Sequence, residues 1–285
     1  MLLKKTITGV ITLPLMFLVL YLGRWPMYVV TAVVVLVGLQ ELYTALVAKD
    51  IVPVRGVGWI GALGILTATQ WAAADVRSGI VTACISGVVF MALIAQFWRV
   101  RGSSAIGNAG ATVLGVVYVP LLFSYLLRLR QLRLNYLPGV DEGGGLDRLG
   151  AILLVVVAVW SMDIAANIVG KYLGTGHPWP TISPNKTYEG SLAGLLASMI
   201  GTLGVGAGVL GLPVLHMLTL GVVLGIVGQA GDLCESLLKR DIGIKDFGVA
   251  LPGHGGVLDR FDSLLFAMPI AYYYLIYLVL PAGVA

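Results

Sequence analysis

The stretch "PVLHMLTLGVVLGIVGQAGDLCESLLKR", residues 213–240, decides the fold. From Pro213 to Gly231 it carries no Asp, Glu, Lys or Arg; then Asp232, Glu235, Lys239 and Arg240 follow in quick succession. An apolar run of about 20 residues is long enough, as a helix, to cross a hydrocarbon core of about 30 Å. Backbone groups find no water there, so the run must pair its own N–H and C=O groups. If the helix continues through the charges, Asp232, Glu235, Ser236, Lys239 and Arg240 fall at i, i+3, i+4, i+7 and i+8, which is one face. Two acids then sit one turn deeper than two bases, at the edge of a membrane.

The rest of the chain has the same character. Of its 285 residues, 58% are hydrophobic and 11% charged, less than half the roughly 25% charge of soluble domains. No room is left for a soluble domain beyond the loops. The expected fold is an all-α, polytopic integral membrane protein with about nine spans: 6–23, 26–48, 57–74, 78–98, 110–127, 150–170, 190–210, 213–231 and 263–283. The first follows Lys4 and Lys5 as a signal peptide would, but no small-residue cleavage site follows, so it is expected to be a retained anchor. Five spans make an N-terminal region, 1–149, and four a C-terminal catalytic region, 150–285. With a cytoplasmic N-terminus, that side holds 12 of the 18 Lys and Arg residues, the orientation the positive-inside tendency favours. The dissent is the 128–148 loop, where Arg128, Arg130, Arg133 and Arg148 are partly offset by Asp141, Glu142 and Asp147. The net charge of +4 suits an anionic lipid surface, and no nucleic-acid partner is expected. Cys84 and Cys234 are expected to be buried small apolar side chains, with no CxxC and no zinc spacing around them.

After the opening stretch comes "DIGIKDFGVALPGHGG", 241–256. Its glycines, Gly255 and Gly256 among them, let backbone approach a ligand closely and present successive N–H groups to an anion. "LDRFD", 258–262, then opens the last span with Asp259, Arg260 and Asp262. Asp259 and Asp262 are three apart, hence on one face if helical, and Asp259 is the natural partner for Asp232 across a helix pair. Mg²⁺ takes one or two carboxylates plus substrate phosphates. Lys and Arg above it hold further phosphate oxygens, Arg through its planar fork.

A second cluster lies in "WSMDIAANIVGKYLGTGHPWPTISPNKTYEGS", 160–191. Asp163 falls inside a span, which is costly unless it is paired or wetted. Lys171 marks the exit of that span. Ser183, Lys186 and Thr187 precede the seventh span and suit a phosphate at a helix N-terminus. The plainer expectation is a turn at Pro184–Asn185 and an N-cap at Thr187. In the nine-span arrangement both clusters share the cytoplasmic side, where nucleotides are. The residues alone point to a membrane enzyme or transporter handling a phosphate-bearing ligand with a divalent cation.

The charged stretch resembles the signature of the phosphatidate cytidylyltransferases, or CDP-diacylglycerol synthases: S-x-x-K-R-x4-K-D, a spacer, then P-G-H-G-G-x-x-D-R-x-D. Ser236, Lys239, Arg240, Lys245, Asp246, Pro252, Gly253, His254, Gly255, Gly256, Asp259, Arg260 and Asp262 fit it. "SPNKTYEG" is similar to the family's S-P-x-K-T-x-E-G through Ser183, Pro184, Lys186, Thr187, Glu189 and Gly190. One departure is that "DIAAN" stands where the family has D-S-x-A-Y, with Ile164 and Asn167 replacing the hydroxyl and aromatic residues.

The resemblance implies transfer of a cytidylyl group from CTP to phosphatidate, giving CDP-diacylglycerol and pyrophosphate for phospholipid synthesis. Asp232 and Asp259 would hold Mg²⁺, with a second cation left open. Lys239, Arg240, Lys171, Lys186, Lys245 and Arg260 would bind phosphate, and His254 would be a phosphate donor or a residue of the turn. Asp163, Ser183, Thr187, Ser236, Asp246, Gly255, Gly256 and Asp262 complete the substrate site. The implied partners are CTP, phosphatidate and membrane lipid, in a homodimer of the inner (cytoplasmic) membrane with its active site facing the cytoplasm. Two rivals are a CTP-dependent lipid-alcohol kinase and a transporter of a phosphate-bearing solute. The transporter would show an internal repeat and a midplane site, and neither is visible in the sequence.

Overall fold

The computed structural model describes residues 23–99, 104–132, 134, 145–248 and 255–280. The expected first span lies outside them up to Gly23, as does His254. Among the described residues the regular elements are helical, and seven helices are long and apolar enough to cross a membrane. The expected third span forms a helix too, Arg55–Trp71, but at 17 residues it is shorter than those seven. The backbone gathers into two compact units. One comprises the described residues up to Leu127 with Asp241–Phe261; the other comprises Arg128–Arg240 with Asp262 onward.

The first unit is built on α1 (Arg24–Leu46), α2 (Arg55–Trp71), α3 (Ala74–Ile94) and α4 (Ala105–Val116). Leu39, Leu42 and Tyr43 of α1, Ile65 and Leu66 of α2 and Val116 of α4 are all at most 1% exposed, and Ile65 and Val116 share one core cluster with Val81 and Val88 of α3. Lipid is as apolar as leucine, so this packing holds by close contact rather than by expulsion of water. Gly115 makes the approach of α4 to α1 possible, since a Cβ there would fall 2.9 Å from Leu39 Cδ1. The loop between α1 and α2 has its backbone satisfied by buried polar side chains of α4. Asn108 Oδ1 accepts Val52 N–H at 2.6 Å and Thr112 Oγ1 accepts Val54 N–H at 2.8 Å. At the other end of the α1–α2 pair, Trp25, Tyr28 and Trp71 cluster with centroids as close as 4.4 Å, as aromatics do at a membrane–water interface. Phe90, Leu93 and Ile60 stay exposed on α3 and α2, the surface that lipid would cover.

Pro120 has no N–H to give a helical ladder, and Val117–Leu121 is wound as a π-turn between α4 and α5 (Leu122–Gln131). The helix runs on to Gln131, so Arg128 and Arg130 are helical residues rather than loop charges. Arg130 is 6% exposed, and Arg128 lies over the Tyr272 ring at 5.7 Å.

The second unit packs α6 (Gly145–Leu173), α7 (Tyr188–Thr202, continued as a π-helix to Val209), α8 (Val214–Ile242) and α9 (Asp262–Tyr274). Small residues set the α6–α7 contact. A Cβ on Gly190 would lie 2.6 Å from Ala166 O, and one on Gly194 would lie 3.0 Å from Met162 O. The Gly190/Gly194 spacing therefore serves packing within the chain, whereas Gly204 has nothing within 4 Å of its Cβ position. Helix α8 continues through the charges and stops where Gly243 turns left-handed at φ +85, the backbone state that ends helices at glycine.

Candidate active site

In the second unit, the continuous α8 carries Asp232, Glu235, Ser236, Lys239 and Arg240 over its last turns. Ser236 Oγ donates to Asp232 Oδ1 at 3.4 Å and Lys239 Nζ to Glu235 Oε1 at 3.1 Å. Glu235 is fully buried, so its pair with Lys239 removes the cost of an isolated buried charge and fixes the lysine's root. Arg240 Nε donates to Ile182 O at 3.2 Å, which ties the helix end to the loop before α7.

That loop is shaped by its own sequence. Lys186 N–H donates to Ser183 O at 3.2 Å, closing a turn over Pro184–Asn185. Thr187 is buried and its Oγ1 accepts Gly190 N–H at 3.1 Å, so it caps α7 as the plainer expectation had it. Glu189 accepts from Thr175 N–H at 3.2 Å and Oγ1 at 2.6 Å, and Tyr188 N–H donates to Gly176 O at 3.0 Å. So clasped, the loop aims Lys186 at α8. Its Nζ lies 3.0 Å from Asp232 Oδ2 and 3.2 Å from Gln229 O. Asp163 of α6 is within electrostatic reach of Asp262, Asp232 and Lys186, and Asp262 within reach of Asp232 and Lys239. Three carboxylates and two lysines from four elements thus address one region of this unit. Lys171, at the end of α6, is exposed, with its Nζ 5.4 Å from the Tyr172 ring.

The remaining signature residues belong to the first unit. Asp259 does not lie on the last helix with Asp262. Leu258–Arg260 is a separate 3-10 turn, broken from α9 at Phe261 (φ −117, ψ 5). Asp259 Oδ2 instead accepts two backbone N–H groups, Phe247 at 2.9 Å and Gly256 at 3.0 Å. Gly255 is left-handed at φ +83, and a Cβ there would lie 3.5 Å from Asp259 Oδ2 and 3.6 Å from Asp246 Oδ1. Lys245, Asp246 and Arg260 are exposed.

Glu41 escapes the sequence reading. This buried acid of α1 accepts Val257 N–H on Oε1 at 3.0 Å and Leu258 N–H on Oε2 at 3.1 Å. The available signal was an acid inside an apolar span, the same signal that singles out Asp163.

Among the described residues, no three His, Cys, Asp or Glu side chains are gathered tightly enough to enclose a metal ion. The donors that are present still suit Mg²⁺, which needs few protein ligands when phosphates supply the rest. They are carboxylate oxygens, and one of them, on Asp232, already faces a cation in the Lys186 ammonium.

A profile of the cytidylyltransferase family matches residues 3–278. The phosphatidate cytidylyltransferase of Bacillus subtilis is 33% identical over 276 residues, 95% of this chain and 97% of the relative. That of a Synechocystis species is 34% identical over 299 residues, 97% of each chain. That of Staphylococcus saprophyticus is 32% identical over 270 residues, 93% of this chain and 96% of the relative.

Proposed function

The chain belongs to the cytidylyltransferase family, and from that premise we propose that it transfers the cytidylyl group of CTP to phosphatidate, forming CDP-diacylglycerol and pyrophosphate. The observation that carries this reading is the full-length similarity to phosphatidate cytidylyltransferases. The arrangement of Lys186, Asp232, Ser236, Lys239 and Arg240 supports it.

Residue chemistry suits the step. A phosphate oxygen of phosphatidate, already anionic, attacks the α-phosphorus of CTP. The new P–O bond forms as the bond to pyrophosphate breaks, and no strong base is needed. The difficulty is to bring two polyanions together and to hold the charge that grows on the leaving group. Lys239, Arg240, Lys171, Lys186, Lys245 and Arg260 are the proposed phosphate contacts, with His254 in the same role. The Glu235 pair anchors Lys239. The carbonyl of Ile182 orients Arg240. The Gly255 backbone N–H would face a phosphate oxygen and Gly256 would let the chain come close to it, with Ser183, Thr187 and Ser236 shaping the surroundings. Asp163, Asp246 and Asp262 would orient the bases and the cation's water. Asp232 and Asp259 are the proposed Mg²⁺ carboxylates. When bound, Mg²⁺ neutralises phosphate charge and aligns the nucleotide phosphates, and a second cation is compatible with the surplus of acids.

The protein is a multi-pass membrane protein. We place it in the inner membrane with nine spans and its active site toward the cytoplasm, as the distribution of Lys and Arg favours. The homodimer is proposed from the family resemblance. Product analysis with purified protein tests the reading. CDP-lipid with pyrophosphate supports it. Phosphorylated lipid with CDP would make it a kinase, and no chemistry would leave a transporter.

A further inference from the structure

We propose that α1 and α2 form a holding site for phosphatidate, with an acyl chain in the groove between them and the phosphate at Arg55 and Lys49; this rests on the cytidylyl-transfer reading. A cavity of about 610 Å³ is lined by Leu36, Val37, Gln40 and Thr44 of α1 and by Trp59 and Leu63 of α2, a volume within the roughly 300–1,000 Å³ of pockets that hold small ligands. Leu36, Gln40 and Thr44 repeat every four residues, and so do Trp59 and Leu63, so each helix contributes one face. Polar atoms are turned away from the cavity. Gln40 Nε2 donates to Thr44 Oγ1 at 3.1 Å and Gln40 Oε1 is buried. Both oxygens of the neighbouring Glu41 accept backbone N–H groups, those of Val257 and Leu258. The cavity therefore offers hydrocarbon to its occupant. From Leu36 to Thr44 is about 12 Å along the helix, within the about 15 Å depth of one leaflet's hydrocarbon. Trp59 and Leu63 are exposed at its rim, so the hydrocarbon at hand is an acyl chain of the leaflet on the Lys49 side.

The charge at the end of the groove selects the lipid. On α2 the lining face runs back to the first residue, since Arg55, Trp59 and Leu63 also repeat every four residues. Lys49 is exposed in the turn that follows α1. Among the described residues neither basic side chain has a hydrogen bond or ion pair. No side chain caps α2 and no acid stands in its first turn, and the Cβ position of Gly56 is open. The first N–H groups of the helix are thus left for an anion. Asp50 is the one acid between the two bases. A phosphate monoester carries about −1.5 to −2 charges at pH 7, so two bases and a positive helix end favour phosphatidate over the diester lipids of the bulk membrane. Phe247 also lines the cavity, and its N–H donates to Asp259 Oδ2 at 2.9 Å. The groove therefore adjoins the segment that carries a proposed Mg²⁺ carboxylate.

Trp59 reports occupancy directly. In phosphatidylcholine nanodiscs without CTP, a small fraction of phosphatidate with brominated chains should quench tryptophan emission more than the same fraction of brominated phosphatidylcholine or phosphatidylglycerol. Trp59 is one of six tryptophans, so the excess should reach about one-sixth of the emission. It should vanish in Trp59→Phe and in Arg55→Gln. In turnover, Arg55→Gln should raise the KM for dioleoyl and dihexanoyl phosphatidate alike, by roughly 10-fold. Leu63→Trp, which fills the deep end, should raise the KM for the dioleoyl lipid roughly fivefold or more and spare the dihexanoyl lipid, whose chains stop short of it. A merely structural role for Leu63 would not depend on chain length. The proposal is overturned if wild-type protein shows no excess quenching, if the excess survives Trp59→Phe, or if brominated phosphatidylglycerol quenches as strongly. Excess quenching at Trp59 in a protein that makes no CDP-lipid would uphold the lipid site and sink the cytidylyl-transfer reading instead.

Discussion

Lys186→Met tests the second unit's site most finely, because it should move two kinetic quantities in opposite directions. The Lys186 ammonium lies 3.0 Å from Asp232 Oδ2, with the two side chains 18% and 34% exposed. A pair this open is screened toward the water limit, where unit charges at about 4 Å interact by about 1 kcal/mol. As a stability term the bridge is therefore small, and Lys186→Met should lower the melting temperature by only about 2–4 °C. For catalysis the same ammonium has a second task. It is a cation competing for the carboxylate proposed to hold Mg²⁺, and the proposed contact for a nucleotide phosphate. Removing it should lower the free Mg²⁺ needed for half-maximal activity by about fivefold, the equivalent of about 1 kcal/mol. Meanwhile kcat/KM for CTP should fall by roughly 10- to 100-fold through loss of a charge-assisted phosphate contact. Pyrophosphate release from CTP and phosphatidate in detergent micelles, followed against free Mg²⁺ at saturating CTP and against CTP at saturating Mg²⁺, reads both. An unchanged or higher Mg²⁺ requirement in a folded Lys186→Met protein would refute the assignment of Asp232 to the cation.

Other outcomes follow from the same geometry. Arg240→Lys keeps the charge but loses the fork and the anchor on Ile182 O, so kcat/KM should drop despite the conserved charge; a full-activity variant would make Arg240 a mere surface charge. Gly190→Ala should destabilise the protein by about 1–3 kcal/mol through overpacking against α6, while Gly204→Ala, with nothing within 4 Å of its Cβ position, should leave thermal unfolding in detergent unaltered. A membrane-impermeant thiol reagent should label a cysteine placed at Lys245 only from the cytoplasmic side and one placed at Gly144 only from the other; the reverse pattern would overturn the orientation.

Features that are local in sequence could be read from it. The Thr187 cap, the Pro184–Asn185 turn and the run of α8 through its charges each depend on residues within a few positions of one another, so type and spacing suffice. The misplacement of Asp259 onto the last helix shows the limit of periodicity. Three-residue spacing would suit one helix face, but the backbone breaks at Phe261 and the Asp259 carboxylate is taken by two N–H groups. Arg128 and Arg130 looked like loop charges because charge in an apolar chain suggests water, yet a cation over Tyr272 is stabilised without it. The partners of Glu41 and the pairing of Lys186 with Asp232 were out of reach for a different reason. Each joins segments distant in sequence, and no local pattern says which backbone N–H or which acid will be opposite. The π-turn at Val117–Leu121 was half legible, since Pro120 announces a defect without saying how the helix absorbs it.

The central claim is that the signature acids carry cytidylyl transfer together. Turnover of CTP and phosphatidate to CDP-diacylglycerol should be measured for Asp232→Asn, Asp259→Asn and the double variant, each purified and shown folded. Each single should be nearly inactive and the double scarcely worse than either, because groups that act as one unit are non-additive. An Asp259→Asn protein with near-normal turnover at limiting Mg²⁺, or single losses that simply multiply in the double variant, would contradict it.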